Sequence, residues 1–396
     1  AFIGTAAQGK YADKATMIYE TGKQTRANTS IVSSTPSGWT SSHKLLGHTY
    51  AYFKLSYDTE VYNGLPNIDA LIKGKDDIYD PRTLTSGYTD NHALICRDYL
   101  ASEYGYSITS FDNQSFIDGA NICDQNVLNG SLPNEKRYTV HGTISVIDSP
   151  ANALNSLLAA GAASIQPVEG QVRYIPGVYQ APEAGADFDE SDFIGGLQYS
   201  PLTSASNRFN GVRGTYIDPN QEYEVIDFVP YQVAGYVTND KQELWQDSKF
   251  PFINSGTRAR RVAKIFLERS RYGVRASCTL GWRALEYSEG DRITLSIDGL
   301  GWSSKVFRID KMELSLSGVN VELSEDAVAV WDWEEGDALE VDVPPALNLP
   351  DPTFVTAPTG LSVSEILFYA ADQRTVKNRT IVSWDGAATV RRWELQ

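Results

Sequence analysis

The sequence predicts a multidomain, mainly β protein with α+β insertions, and three observations carry that expectation. The first is size: 396 residues with 42% hydrophobic and 11% aromatic side chains can fill several cores, and the usual domain size divides such a chain into roughly two to four units. The second is periodicity, which alternates at period 2 over most of the chain and switches to a helical period in a few bounded stretches. The third is a run of prolines, Pro344, Pro345, Pro350, Pro352 and Pro358. Each fixes its own φ and restricts its predecessor, so residues 341–357 read as a stiff, extended linker.

Residues 1–80 read as a β-rich domain, since stretches such as Thr49-Tyr-Ala-Tyr-Phe-Lys-Leu-Ser-Tyr57 switch faces at every residue, as a half-buried strand does. Residues 81–170 read as mixed α and β. Asp90 is placed to cap a helix that buries Leu94, Ile95 and Tyr99 and stops near Gly105. Asp112 is placed to cap a second, with Phe116, Ile117, Ala120 and Cys123 on one face. Ser149 followed by Pro150 forms an N-cap and first-turn pair for a third, which buries Leu154, Leu157 and Leu158 and ends at Gly161.

Residues 171–340 return to strands, at Val172-Arg-Tyr-Ile175, at Gly211-Val-Arg-Gly-Thr-Tyr-Ile217, and at Arg292-Ile-Thr-Leu-Ser296 after a Gly290-Asp291 turn. Lys305-Val-Phe-Arg-Ile309 and Lys311-Met-Glu-Leu-Ser315 follow as two further strands, giving a β-barrel-like region. One helix interrupts it, from about Thr257 to Tyr272, and gathers Arg258, Arg260, Arg261, Lys264, Arg269 and Arg271. Such a face can simply be solvated. The sharper expectation is that Arg258, Arg261, Lys264 and Arg269 meet carboxylates of a neighbouring subunit, where charge complementarity sets register.

The formal charge of −16 argues against a sequence-reading nucleic-acid binder, which needs a basic stripe to neutralise phosphates. It suits a surface past which DNA slides without sticking, and equally it keeps a large assembly soluble. Cys96, Cys123 and Cys278 are widely spaced and His43, His48, His92 and His141 are scattered, which suggests neither a disulfide framework nor a zinc site. Cys96 and Cys123 fall on apolar helix faces and read as small core residues made in a reducing place. No apolar run approaches the ~20 residues that span a bilayer, and Ala1-Phe2-Ile3-Gly4 lacks the features of a signal peptide. Both ends read as cut from a longer chain.

Four short motifs are weighed and set aside. Gly4-Thr-Ala-Ala-Gln-Gly9-Lys10 has phosphate-loop spacing, but Tyr11 stands where a Ser or Thr must ligate magnesium. His43 and His48 are five apart, which fits neither a helix face nor a zincin. The acidic run Asp187, Asp189, Glu190 and Asp192 lacks the central glycine and closing glutamate of a calcium loop and reads as a solvated turn. Trp331-Asp-Trp-Glu-Glu-Gly336 has the residues of a sugar platform or an acid and base pair, but the family resemblance given below implies instead that Trp331 and Trp333 pack against the barrel. No catalytic residue, cofactor site or metal ligand is assigned.

The order of several words carries a resemblance. Tyr79-Asp-Pro-Arg82 is followed by Asp90-Asn-His-Ala-Leu-Ile-Cys-Arg-Asp-Tyr-Leu100, Tyr104-Gly105, Phe116-Ile117 and Ala120-Asn-Ile-Cys-Asp124. Pro176-Gly-Val-Tyr-Gln-Ala-Pro182, Asn207-Arg-Phe-Asn-Gly-Val-Arg-Gly-Thr215 with Asp218-Pro219, the stretch from Ala259 to Arg269, Gly290-Asp291 and Ala329-Val-Trp-Asp-Trp333 continue it. Over about residues 40 to 335 this order resembles the tail-tip attachment proteins of long-tailed phages, also called host specificity or central tail fibre proteins, and their prophage and gene-transfer-agent relatives. Beyond the linker, Ala357-Pro-Thr-Gly-Leu-Ser-Val363, Thr380-Ile-Val-Ser-Trp384 and Arg392-Trp-Glu-Leu-Gln396 resemble the first strands of a fibronectin type III sandwich. Residues 358–396 would hold about half of one, with Trp384 as its core tryptophan.

The resemblance implies baseplate-hub-like β-barrel domains and a structural virion protein at the tail tip. Such a protein would be a homotrimer that closes the tail tube, meets the distal tail protein and the tape-measure protein, and carries fibre or receptor-binding elements further along the chain. DNA would pass through it without specific binding when contact with the host opens it. Two other classes stand beside this reading: a glycan-binding or cell-wall-degrading tail module, and a secreted adhesin with fibronectin repeats.

Overall fold

The computed structural model describes residues 13–34, 38–59, 61–62, 64–66, 68, 70–145, 147–201, 208–339 and 359–385. The chain divides into two compact units, Ala1–Val341 and Asp342–Gln396. The glycine motif at residues 4–10, the linker 341–357 and the strand expected at residues 392–396 lie outside the described residues.

The first unit opens with β1 (Ala15–Thr21), α1 (Thr29–Ser34) and β2 (Thr49–Leu55). β1 and β2 pair antiparallel with Ala15 opposite Leu55. Among the described residues before Ile78, only Ala27 and Ile31 are buried apolar side chains, so this β-rich segment has almost no core of its own.

A hairpin follows, β3 (Ile78–Asp80) and β4 (Thr85–Gly87). Its turn is held by Asp80, whose carboxylate accepts from the Arg82 backbone at 2.9 Å and from its guanidinium. Then come α2 (His92–Glu103) and α3 (Asn113–Cys123). The cap of α2 is Asn91, one residue later than expected, with its side chain accepting from the backbone of Ala93 and Leu94. Asp90 is engaged elsewhere, 3.0 Å from the Lys136 ammonium. Asp112 caps α3 as its position suggests. A second hairpin, β5 (Asn126–Asn129) and β6 (Leu132–Lys136), leads to α4 (Pro150–Ala160), which begins at the expected proline and ends at Gly161. A third hairpin pairs β7 (Ser164–Val168) with β8 (Gln171–Ile175).

The strand-rich half runs through β9 (Asp187–Asp189), β10 (Gln198–Ser200), β11 (Gly211–Asp218), β12 (Glu224–Asp227), β13 (Tyr231–Gln232), α5 (Ala234–Asp240), β14 (Trp245–Phe250) and α6 (Gly256–Arg271). It closes with β15 (Arg275–Leu280), β16 (Arg292–Ile297), β17 (Trp302–Leu314), β18 (Val319–Glu325) and α7 (Val328–Trp331). β12, β11 and β13 form an antiparallel path and β14 joins β11 in parallel. The larger sheet has the order β10-β15-β18-β17-β16-β9.

Two expectations are corrected here. The larger sheet is open: β10 and β9 are its edges, and among the described residues no ladder joins them into a barrel. The two strands expected at 305–309 and 311–315 are one, β17, whose register slips at a bulge between Ile309 and Lys311. The extra residue flips the alternation, which in a sequence looks like a strand break.

Two cores result. Phe188, Leu295, Phe307, Ile309, Val321 and Leu323 fill the one beneath the larger sheet. The other joins Leu94, Phe116, Leu157 and Tyr174 to Val212, Phe250, Val262 and Leu267. α6 buries Ala259, Val262, Ala263 and Leu267 against β11 and α4, so elements from either side of residue 170 contribute to this core.

In the second unit, β19 (Thr359–Tyr369) pairs antiparallel with β20 (Val376–Asp385), Val363 opposite Val382. These are two of the three strands expected there, and Trp384 is half-buried.

Candidate functional site

α6 is the centre of the first unit's polar architecture. Ser255 caps it, accepting from the Arg258 backbone, and its apolar stripe turns it into the core. That rotation carries its cations inward as well. Arg258 Nη2 lies 3.1 Å from Glu135 Oε2, and Nη1 donates to Thr139 Oγ1 at 2.6 Å. Arg261 Nη2 donates to the Arg137 carbonyl at 2.7 Å and lies 3.4 Å from Glu135 Oε1. Its guanidinium sits 5.9 Å from the Tyr138 ring centroid and 5.5 Å from that of Trp333.

The far side of the helix reaches the end of the unit. Lys264 Nζ lies 2.7 Å from Asp337 Oδ2, and Arg260 donates to the Asp337 carbonyl at 2.8 Å and to the Val229 carbonyl at 3.0 Å. Arg271 pairs with Asp240, and Arg269 lies 4.4 Å over the Trp331 ring. Burial pushes the Arg261 and Arg269 guanidiniums down to about 10, still charged at neutral pH. It also raises the Glu268 carboxyl above its ordinary value, while Tyr236 donates to Glu268 Oε2 at 2.7 Å.

The four cations singled out in the sequence, Arg258, Arg261, Lys264 and Arg269, are thus brought together on one helix and used inside the chain. The carboxylates that Arg258, Arg261 and Lys264 meet are Glu135 and Asp337 of this chain, and the solvated face expected as the plain alternative is buried. Periodicity marked the helix but not these acceptors, which come from a hairpin and a loop remote in the chain.

The tryptophan motif serves the same helix. Trp331 is buried in the core that α6 shares rather than beneath the larger sheet, and its Nε1 donates to Asp326 Oδ1 at 2.8 Å. Asp326 Oδ2 accepts from Arg292 Nε at 3.1 Å, so one carboxylate links α7 to β16. Glu334 and Asp337 close a reciprocal cap around the turn at Glu335–Asp337, which gives these acidic residues a local structural task.

The remaining motifs resolve similarly. Asp189 and Asp192 form a capping box around Glu190–Asp192, and Asp192 pairs with Arg283 at 3.0 Å. His43 and His48 are exposed, with His43 stacked on Trp39 at 5.1 Å. Among the described residues no group of three or more His, Cys, Asp or Glu could hold a metal ion, and no helix is long and apolar enough to cross a membrane.

Sequence reasoning missed one buried polar centre. His92 is wholly buried, with Nδ1 2.8 Å from Tyr174 Oη and Nε2 2.7 Å from the Leu157 carbonyl. The geometry fits a neutral ring that donates through Nε2 and accepts the Tyr174 hydroxyl, and burial pushes its pKa down to about 4. Cys96 and Cys123 flank this pair as free, buried thiols. Burial pushes Cys123 up to about 11 and Cys96 well above the ordinary thiol range, so both act as packing groups.

This arrangement is an internal clamp built around α6, and the chain is similar to several known proteins. Residues 149–312 match the model of a family described as "Putative phage tail protein". The chain is also 25% identical over 350 residues to the baseplate hub protein pb3 of Escherichia phage T5, a match covering 82% of this chain and 36% of that protein. The chain spans about a third of the length of that protein. Among solved structures, a chain of the virion of a native gene transfer agent particle aligns at a TM-score of 0.45 and 15% identity, covering 61% of this chain and 48% of that one. The prophage MuSo2 43 kDa tail protein from Shewanella oneidensis aligns at 0.35 and 12%, covering 62% and 66%.

Proposed function

We propose that this chain is a structural component of a phage tail and works as part of a baseplate hub at the tail tip. The observation that carries this reading is the 350-residue likeness to a baseplate hub protein. A continuous match over 82% of the chain takes in both Glu135 and α6 wherever it begins. In this reading the clamp around α6 is the rigid body of the hub. The hub is a homotrimer that closes the tail tube, meets the distal tail and tape-measure proteins, and anchors fibre or receptor-binding elements.

Its surface chemistry supports passage of DNA. The formal charge is −16, and Arg258, Arg261, Lys264 and Arg271 of α6 are paired with carboxylates inside the unit, so this helix presents no basic stripe to a passing duplex. Such a surface repels phosphates and does not retain the duplex as it leaves. The role is mechanical, and no residue is assigned to catalysis.

The test is to purify particles from a producing culture, identify the chain in them by mass spectrometry, and locate it with gold-labelled antibodies. Label at the tail tip is the expected result. Particles that lack the chain, or label along the tail shaft or head, would overturn the assignment. Light scattering of the full-length protein tests the trimer separately.

A further inference from the structure

A cavity of about 140 Å³ lies at the C-terminal end of α6, walled by Arg269, Arg275, Arg308, Glu325, Asp326 and Trp331. The charges around it are unbalanced because its two carboxylates are already taken. Glu325 is paired with Lys305 and accepts from the Val274 backbone at 3.2 Å. Asp326 uses one oxygen on the Trp331 indole and the Ala327 backbone and the other on Arg292.

The arginines are less well provided for. Arg308 turns Nε and Nη2 onto Asp310 of its own strand, at 2.9 and 2.7 Å, which leaves Nη1 over. Arg269 has the face of Trp331 and one long contact, 3.4 Å, to the Ala162 carbonyl. Among the described residues no carboxylate lies within ion-pair distance of it. Burial and the neighbouring Arg308 and Arg292 charges disfavour its cation, and the nearby Asp326 carboxylate offsets them only in part. A cation held largely away from water with no counter-charge in contact is costly, and an anion in the adjacent space would offset that cost. The volume has room for several waters or one small polyatomic ion.

We propose that this cavity is an oxyanion site that takes one free ion of the phosphate or sulfate class, held between Arg269 and Arg308 with Arg275 at its mouth. The guanidinium forks supply paired donors at a geometry that spherical chloride cannot use as well. The Trp331 ring, 4.4 Å from the Arg269 guanidinium, restricts that side chain before the ion arrives.

The experiment is equilibrium dialysis of the full-length chain with radiolabelled phosphate in 0.15 M chloride at pH 7, with unlabelled sulfate as competitor. The expected result is saturable uptake of one phosphate per chain, displaced by sulfate and weakened at least tenfold in Arg308→Gln, a partly exposed residue. Arg275→Gln, at an exposed position, is expected to weaken uptake severalfold and serves as the reading if Arg308→Gln fails to fold. No uptake, uptake that does not saturate, or saturable uptake that both variants leave unchanged would overturn the site.

Discussion

Glu135 and Arg258 are 123 residues apart in the chain and in direct contact, with Arg258 Nη2 donating to Glu135 Oε2 at 3.1 Å. The same carboxylate lies 3.4 Å from Arg261 Nη2 and accepts from Thr257 Oγ1 at 2.9 Å. One hairpin side chain therefore serves three positions in the first turns of α6. The two arginine side chains are only 5% and 2% exposed, so Glu135 is the counter-charge for two cations in a medium of low dielectric. Removing it would leave both uncompensated, a change that costs about 3–5 kcal/mol for buried pairs. Glu135→Gln keeps acceptor geometry but not charge, and is expected to lose most of that amount in urea unfolding followed by near-ultraviolet circular dichroism. A Glu135→Gln protein within half a kcal/mol of wild type would show that the arginines draw their compensation from elsewhere.

Gly214 sets the spacing of the parallel pair. It stands opposite Ser248 where β11 meets β14, and a Cβ there would fall 1.7 Å from the Ser248 carbonyl oxygen. That neighbour is backbone and cannot rotate away, so Gly214→Ala must push β14 off β11. The expected cost is about 3 kcal/mol or more. Gly235, in α5, has open space where its Cβ would be, and Gly235→Ala is expected to gain about 0.5–1 kcal/mol from helix propensity. Opposite signs in the two melting-temperature shifts are the expected pattern, and two losses of similar size would break it.

His92 makes stability depend on pH below neutrality. Its folded pKa lies near 4 against an ordinary value of 6.5, so between those two values the unfolded chain binds a proton that the folded chain refuses. Stability from this group is complete above pH 6.5 and falls as pH drops toward 4. The loss is about 3 kcal/mol, taking 1.36 kcal/mol for each pKa unit. Unfolding free energies measured from pH 7 to pH 4 should slope downward in wild type and less steeply in His92→Gln. Parallel slopes would mean that the carboxylates, or His141, which burial also lowers, carry the acid sensitivity instead.

These centres differ in how much of them a sequence can show. Caps are local, so Asp112, Pro150 and Gly161 mark their helices, although Ser149 holds the N-cap position of α4 without a side-chain capping bond, and the basic helix, expected from Thr257 to Tyr272, runs from Gly256 to Arg271. What the cations of that helix do is not local. Arg258 and Arg261 look like surface charges until Glu135 folds back onto them from a hairpin whose own pattern is half polar. The bulge in β17 and the open edges at β9 and β10 are likewise decided by pairing between distant strands. His92 gave no signal because Tyr174, its partner, is 82 residues away.

Asp326 and Arg292 join the two cores, and their coupling can be measured. Arg292 is 1% exposed and Asp326 8% in their side chains, and Asp326 also holds the Trp331 indole. Breaking a buried pair from one side leaves a bare charge or a bare acceptor, whereas replacing both partners with apolar groups removes the desolvation cost together with the attraction. Arg292→Met and Asp326→Leu should each destabilise the unit by about 3 kcal/mol or more. The double variant should be less destabilised than the sum of the two, by about 2 kcal/mol, within the range found for groups in direct contact. Asp326→Leu alone also strips Trp331 of its acceptor, so a Trp331→Phe background separates that loss from the ion pair. If the single effects simply add in that background, Asp326 and Arg292 act independently, and the carboxylate does not link α7 to β16 energetically.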